Sequence, residues 1–495
     1  MKITKHTRMS LTIVRLIFFL ALAGCAERRS DGEAAARKYC AACHAFPAPA
    51  LLPKAVWKNS VLPAMGAFAD IYTDRSGEYK MLPPQLAHLR DPVIAGVRTA
   101  IPLDEWKKIV AWYLRQAPDQ LPEPSPEKVR PAAGFALRLP DKRATSFTAC
   151  IYFDEAAQIL FQSDIHSGVL RIFDPQLQQA DSLLHTSVAD VAPLGEGRYL
   201  LTNIGQINPG GLNRNGSVEE IVIRQRKIVS RRLLCDSLYR PVQALKMPEG
   251  LFVCEFGFME GMLSVFTAAG KKTIAAIPGA IRMYAEDVNH DGRTDIVAMF
   301  AQGKECITAF INEGNGRFRQ QDLLTFPPSY GSSYFQLADM DADGRKDIVY
   351  TCGDNADQSP VFKPYHGVYV FRNTGAGYRQ VYFRHLDGCY RAIPADLNCD
   401  GQTDLAVISF FADFERKPVQ ALVYLLQRQA WQFDVYADEQ VAAMGRWVCM
   451  DVKDVNGDGR PDILAGNMAA KPGNNTLLMN RWLQGPEFII WENRF

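Results

Sequence analysis

Asp287-Val288-Asn289-His290-Asp291-Gly292-Arg293-Thr294-Asp295, running on into Ile296-Val297, is the stretch whose reading decides the architecture. Oxygen-bearing side chains stand at positions 1, 3, 5 and 9, with a glycine at position 6. This spacing surrounds a hard cation with carboxylate and amide oxygens. The glycine permits the sharp turn, and the carbonyl of position 7 can add another oxygen. The pattern returns as Asp339, Asp341, Asp343 and Asp347 around Gly344, as Asp396, Asn398, Asp400 and Asp404 around Gly401, and as Asp454, Asn456, Asp458 and Asp462 around Gly459. Position 7 is Arg293, Arg345, Gln402 and Arg460 in turn. Such loops suit Ca²⁺ outside the cytoplasm, so up to four calcium ions are expected, clamping turns and taking no part in chemistry.

The strands follow from what the loops are not. An EF-hand needs a bidentate Glu at position 12, where these loops have Ala298, Tyr350, Val407 and Ala465. An apolar β-type run begins at position 10 instead, so each loop joins two strands. A third strand follows, as in 307–312 or 367–373, and Gly-rich turns at 314–316 and 375–377 introduce a fourth. The unit is a four-stranded blade. Successive loops start 52, 57 and 58 residues apart, a blade-sized period. Weaker copies without acidic loops occupy 148–173, 188–223 and 241–266. Three degenerate and four regular units predict a mainly β chain with a seven-bladed propeller over 132–495, with six or eight blades as alternatives.

Ahead of the propeller stands Cys40-Ala41-Ala42-Cys43-His44, the c-type haem attachment pattern. Two thiols one helical turn apart can add to the vinyl groups of one porphyrin edge, and the adjacent imidazole becomes the proximal iron ligand. A redox dithiol would need a thioredoxin-like βαβ setting, and a zinc site would need a second ligand pair nearby; neither is present. One covalent haem c is therefore expected, in a small all-α cytochrome c-like domain over 25–117. Ser30 or Asp31 can cap a first helix that runs into the motif. Leu103-Asp104-Glu105-Trp106 opens a second, with Trp106, Ile109, Val110 and Tyr113 as its apolar stripe and Pro118 as its stop. Pro122, Pro124, Pro126 and Pro131 make 118–131 a stiff linker. Met65, Met81 and His88 are the candidates for the sixth iron ligand; a thioether raises the haem potential and an imidazole lowers it.

The amino terminus sets the compartment. Lys2, Lys5, Arg8 and Arg15 precede the apolar run 16–24, too short to span a bilayer as a mature helix but of secretion-signal length. Leu22-Ala23-Gly24-Cys25 resembles a bacterial lipobox, which implies removal of 1–24, lipidation of Cys25 and tethering to a membrane. Ala26 follows, with no Asp to suggest inner-membrane retention, so an outer-membrane lipoprotein, periplasmic or surface-facing, is expected.

The segment 40–72, CAACHAFPAPALLPKAVWKNSVLPAMGAFADIY, resembles the haem module of secreted FG-GAP/VCBS repeat proteins that carry an N-terminal cytochrome. In that family a methionine recurs at the Met65 position, which implies Met65 as the axial ligand with Met81 as the alternative. The sequence departs from the family after the methionine, where Phe68-Ala69-Asp70 replaces a Leu-Gly pair. The propeller region likewise resembles FG-GAP/VCBS propellers, and its four acidic loops match their calcium loops position by position.

Charge and composition narrow the function. Lys+Arg 55 against Asp+Glu 54 gives a net charge of +1, and beyond residue 24 acidic groups outnumber basic ones, so no electrostatic footprint for nucleic acid exists. At 47% hydrophobic and 22% charged the chain can bury a large core. Most of the cysteines beyond the haem motif sit in or beside apolar runs and read as buried small hydrophobes. No Gly-x-Ser-x-Gly elbow, His-Glu-x-x-His or phosphate loop is present, so no catalytic residue is singled out. The reading that follows is a lipid-anchored electron carrier whose propeller docks a redox partner protein, a glycan or another extracellular polymer. An oxidoreductase passing electrons from a small substrate to the haem, and an adhesion or scaffold protein, are the alternatives.

Overall fold

In the computed structural model, residues 30–89, 99–125, 128–141, 146–206, 213–356, 358–470 and 476–495 are described. The signal segment and Cys25 lie outside them. Seven antiparallel sheets follow one another along the chain. The three blades without acidic loops have first and last strands Thr148–Asp154 and Gln179–Leu184, Val188–Gly195 and Lys227–Leu238, and Pro241–Met247 and Gly270–Ala275. The four acidic-loop blades start at Ala280–Glu286, Ser332–Ala338, Arg391–Ala395 and Trp447–Lys453. The count is seven.

Burial explains the strand sequences. The second strands Asp295–Phe300, Asp347–Cys352, Asp404–Ile408 and Asp462–Asn467 are buried at every position, because each blade is covered by a neighbour on both faces. Continuous apolar runs rather than alternation are what such strands require. Outer strands such as Arg317–Phe326 face solvent and are mostly polar. Six buried cysteines pack among these strands, and all ten described cysteines are free thiols.

The ring closes with a strand that the sequence pattern did not reveal. Phe135–Arg138 supplies the outer strand of the seventh blade, pairing antiparallel with Phe488–Asn493 in the register Trp491↔Leu137. The Phe135 ring sits 5.1 Å from Tyr424 and 5.2 Å from Trp491, and Tyr424 Oη both donates to Ala133 O (2.7 Å) and accepts from Ala133 N (2.8 Å). Just upstream, Arg130–Pro131 adds a fifth, parallel strand to the sixth blade. The segment just ahead of the first blade thus supplies strands to the last two blades, which closes the ring.

Antiparallel order sorts the loops onto two faces. Turns between strands one and two, which carry the acidic loops, share one face with the hairpins between strands three and four. Connections between strands two and three emerge on the opposite face, and in the last three blades these are the long insertions 353–366, 409–421 and 468–487.

The amino-terminal segment is a small, mainly helical unit with its own core. Ser30 Oγ accepts from Glu33 N (3.3 Å) and caps helix Asp31–Tyr39, which crosses helix Leu103–Gln116. Gly32 makes the crossing: a Cβ there would lie 2.6 Å from Lys108 O and Trp112 Cβ. Trp106, Ile109 and Tyr113 are buried against Trp57 and Leu62. The expectation of an all-α unit is corrected by a hairpin, Ile71–Thr73 with Tyr79–Met81, turned by Asp74, whose carboxylate accepts from Ser76 N (2.8 Å) and Glu78 N (3.0 Å). The β-branched Ile71 and Thr73 with Gly77 at φ +86° favour that hairpin over a helix. The unit rests on the insertion 353–366: Tyr365 Oη donates to Leu51 O (2.9 Å), Ser60 Oγ to Gln358 O (2.5 Å), and Val361 packs on the helical core. Among the described residues no helix is long and apolar enough to cross a membrane.

Candidate functional site

The four acidic loops share one backbone. Gly292, Gly344, Gly401 and Gly459 at position 6 have φ of 83°, 83°, 84° and 84°, and position 4 is left-handed too, at His290, Ala342, Cys399 and Gly457. Only glycine takes that conformation freely, which accounts for the invariant sixth residue of the repeat. Position 1 folds the loop over itself. Asp339 accepts from Asp343 N (3.0 Å) and Gly344 N (2.8 Å), and Asp287, Asp396 and Asp454 do the same for their own loops.

Position 9 has a second task that spacing did not show. Asp347 Oδ2 accepts from Met340 N (3.1 Å) in its own loop and Oδ1 from Asn373 N (2.7 Å) on the third strand. Asp295 bridges Val288 and Asn312, Asp404 bridges Leu397 and Gln427, and Asp462 bridges Val455 and Asn493 in the same way. Burial pushes the Asp347 and Asp462 carboxyls up to about 6 and that of Asp404 up to about 7, a strain that a bound cation relieves.

Among the described residues, Asp339, Asp341 and Asp347 bring one carboxylate oxygen each within 4.8 Å of one another. The other loops carry Asn289, Asn398 and Asn456 where this one has Asp341, so their clusters hold one carboxylate fewer. Position 5 does not join the triad. Asp343 accepts from Arg345 N (3.0 Å), and its outer oxygen is held by the Arg345 and Arg372 guanidinium groups. The position-7 side chains of Arg293, Gln402 and Arg460 reach back to Asp291, Asp400 and Asp458 in the same manner. The donor set of positions 1, 3 and 9, all oxygen and partly dry, fits a calcium-sized cation.

At the other face of the ring, Cys40 follows the end of the first helix, half-buried against Tyr113, and Cys43 is exposed. Burial holds the Cys40 thiol up at about 11 and moves the His44 imidazole down, toward its neutral form. His44 Nδ1 lies 3.0 Å from Ala45 O, so the tautomer that donates there leaves the Nε2 lone pair available to a metal. Tyr113 Oη donates to Pro47 O (2.8 Å) and Trp57 Nε1 to Pro49 O (2.9 Å), which fixes the strand leaving the motif. These donors and the spacing of the thiols fit a covalently attached iron porphyrin.

Neither candidate methionine packs in the core: Met65 is 37% and Met81 44% exposed. Met65 stands on helix Leu62–Ala67, directly after a π-helical turn, Trp57–Val61, in which Leu62 N donates to Trp57 O. Pro63 has no N–H to offer, which accounts for the widened turn. Met81 ends the hairpin. Asp70, where the sequence departs from the family pattern, takes φ +57°, a conformation usually reserved for glycine. The side chain of His88 lies outside the described residues.

The sequence reading singled out no residues on the insertion face, yet a cleft of about 1600 Å³ opens there between the Pro-rich stretch and the insertions of the fifth and sixth blades. It gathers His385, Asp387, Lys417 and Arg446 from segments far apart in the chain, which no local motif could signal.

Residues 287–350 match the family of FG-GAP-like repeats, so the chain is a seven-bladed propeller protein carrying an FG-GAP-like repeat. Among solved structures it is similar to streptogramin B lyase (8% identity over 72% of this chain and 98% of that one, TM-score 0.44). It is also similar to a periplasmic gluconolactonase of Pseudomonas aeruginosa (17%, 57% and 82%, TM-score 0.40). A third is a putative 6-phosphogluconolactonase of Bacteroides fragilis (13%, 58% and 82%, TM-score 0.41).

Proposed function

We propose that this chain is an exported, lipid-anchored, single-haem electron carrier whose calcium-stabilised propeller binds a redox partner or an extracellular polymer. The observation that carries the reading is the Cys40-Ala41-Ala42-Cys43-His44 motif with His44 Nδ1 engaged by Ala45 O. Cys40 and Cys43 would hold the porphyrin by thioether bonds, and His44 and Met65 (alternative Met81) would be the axial ligands. When bound, the haem supplies one-electron exchange at iron. The helical unit keeps the imidazole neutral by burial and aims it through the Nδ1 hydrogen bond.

The propeller supplies a rigid platform. Asp287, Asn289 and Asp295 with the Arg293 carbonyl would hold one Ca²⁺, and Asp291 would join them on releasing the Arg293 guanidinium. Their counterparts in the other three loops would hold the rest, with Asp339, Asp341 and Asp347 forming the most anionic cluster. At Asp347, Asp404 and Asp462 the cation would neutralise carboxylates that burial has already driven toward protonation. Cys25, outside the described residues, would carry the lipid, and 118–131 would space the haem unit from the ring. Absorption spectroscopy and intact-mass measurement of the exported protein, with Cys40→Ser and Cys43→Ser as controls, test the haem assignment.

A further inference from the structure

The cleft on the insertion face is built for an anion that also brings hydroxyl groups. Its acids are already matched. Asp387 has Lys417 Nζ at 2.8 Å and His385 Nε2 at 3.1 Å; Asp413 has Arg416 Nε at 2.6 Å; Arg416 Nη1 reaches Glu123 (3.5 Å); and Lys54 holds Asp119 at 2.8 Å. Arg446 is different. It is 5% exposed, its guanidinium lies 3.8 Å from the Phe410 ring centre, and Nε and Nη1 donate to Phe410 O (2.9 Å) and Ala470 O (3.0 Å). No carboxylate pairs with it among the described residues. A buried cation held only by carbonyls and a ring face is an anion receptor with one edge of the guanidinium still to satisfy.

His385 supplies the complementary half. It is 8% exposed, its Nε2 faces Asp387, and its Nδ1 is buried with no hydrogen-bond partner among the described residues. The tautomer with the proton on Nε2, toward Asp387, leaves Nδ1 as an acceptor that no donor among the described residues satisfies. One site thus asks for an anionic oxygen and a hydroxyl. The walls add half-exposed Phe362 and the rings of Pro53, Pro122 and Pro360, apolar surfaces that suit the faces of a pyranose. The volume exceeds that of a usual small-molecule pocket and suits a short chain of such rings.

We propose that this cleft binds an acidic sugar of the uronate class, with its carboxylate on Arg446 and a hydroxyl on His385 Nδ1. The inference stands without the haem reading, since every residue it uses belongs to the ring, the Pro-rich stretch or Pro53. Calorimetric titration of the full chain with trigalacturonate, its methyl ester and free galacturonate tests it. The acid trisaccharide should bind, its methyl ester at least tenfold more weakly, and Arg446→Gln and His385→Phe should each lose tenfold or more. Tighter binding of the trisaccharide than of galacturonate assigns the cleft to a polymer, and equal binding to the free sugar; both keep the proposal. Absence of binding by either acid, an ester that binds as well as the acid, or a folded Arg446→Gln protein of unchanged affinity would overturn it. Because Arg446 also braces two carbonyls, the acid-against-ester comparison on the unaltered protein stands when that variant does not fold, and Phe362→Ala, at an exposed site, should weaken binding while leaving the fold intact.

Discussion

Asp341 and Asp347 stand at positions 3 and 9 of the same acidic loop, and their replacement separates the loop's architecture from its metal. Asp347 is fully buried and accepts two main-chain N–H groups, from Met340 and Asn373. Asp347→Ala strands both. At about 1–3 kcal/mol for each buried group left unmade, the cost is about 2–6 kcal/mol in chelator, and in calcium the binding contribution of its loop is lost as well. For a ring of this size about 1 °C of melting temperature accompanies each kcal/mol, so the fall should be about 2–6 °C. Asp341 accepts no main-chain N–H: its Oδ2 pairs with Arg372 Nε at 2.7 Å, and its Oδ1 has no hydrogen-bond partner among the described residues. In chelator, Asp341→Ala should cost no more than about 1 kcal/mol. Saturating calcium at a hundred times its dissociation constant adds about 2.7 kcal/mol per site in the unaltered protein, and Asp341→Ala should forfeit most of that for its loop. Differential scanning calorimetry in chelator and in calcium reads all four states. If Asp341→Ala is as damaging as Asp347→Ala in chelator, or if Asp347→Ala costs under about 1 kcal/mol there, the division of labour between positions 3 and 9 is wrong.

Other outcomes follow from the same coordinates. Gly344→Ala meets no atom within 4 Å but must hold φ +83°, so its cost should be the backbone term of about 1–2 kcal/mol. Gly388→Ala should cost clearly more, because its Cβ would lie 2.0 Å from Phe411 C; chemical denaturation compares the two. Ala342→Gly relieves a left-handed residue at φ +58° and should leave stability unchanged or raise it by up to about 1 kcal/mol, read by the same assay. A chain starting at residue 140 lacks the Phe135–Arg138 strand and exposes the edge at Phe488–Asn493; it should melt lower and aggregate, as followed by light scattering during heating. Met65→Ala and Met81→Ala remove exposed side chains and should leave the melting temperature nearly unchanged. Only the true axial ligand's loss should alter the reduced haem spectrum.

What the sequence made legible was whatever repeats or is local. The acidic loops announced their blades because oxygen side chains and a glycine recur at fixed spacing. In the three blades without such loops three strands each were legible, and the fourth strands Gln179–Leu184, Lys227–Leu238 and Gly270–Ala275 were not, because they face solvent. The closing strand Phe135–Arg138 was not, because its pairing partner lies more than three hundred residues away and four residues carry little periodic signal. The dual role of Asp347 and its counterparts was hidden for a similar reason: Asn373, Asn312, Gln427 and Asn493 donate from a different strand. Helix caps were readable at Ser30, where the accepting hydroxyl and the donating Glu33 N–H lie three residues apart. The hairpin that carries Met81 was not legible, because two strands of three residues each carry almost no alternation. The insertion-face cleft joins side chains from the fifth, sixth and seventh blades, a constellation that only the closed ring assembles.

The central claim is a covalent haem on Cys40 and Cys43, and intact-mass spectrometry of the exported protein, combined with its absorption spectrum, tests it most directly. One haem adduct per chain and a Soret band are expected, both lost in the Cys40→Ser, Cys43→Ser double variant. An unaltered polypeptide mass with no Soret absorbance, from cells that mature other c-type cytochromes, would contradict it.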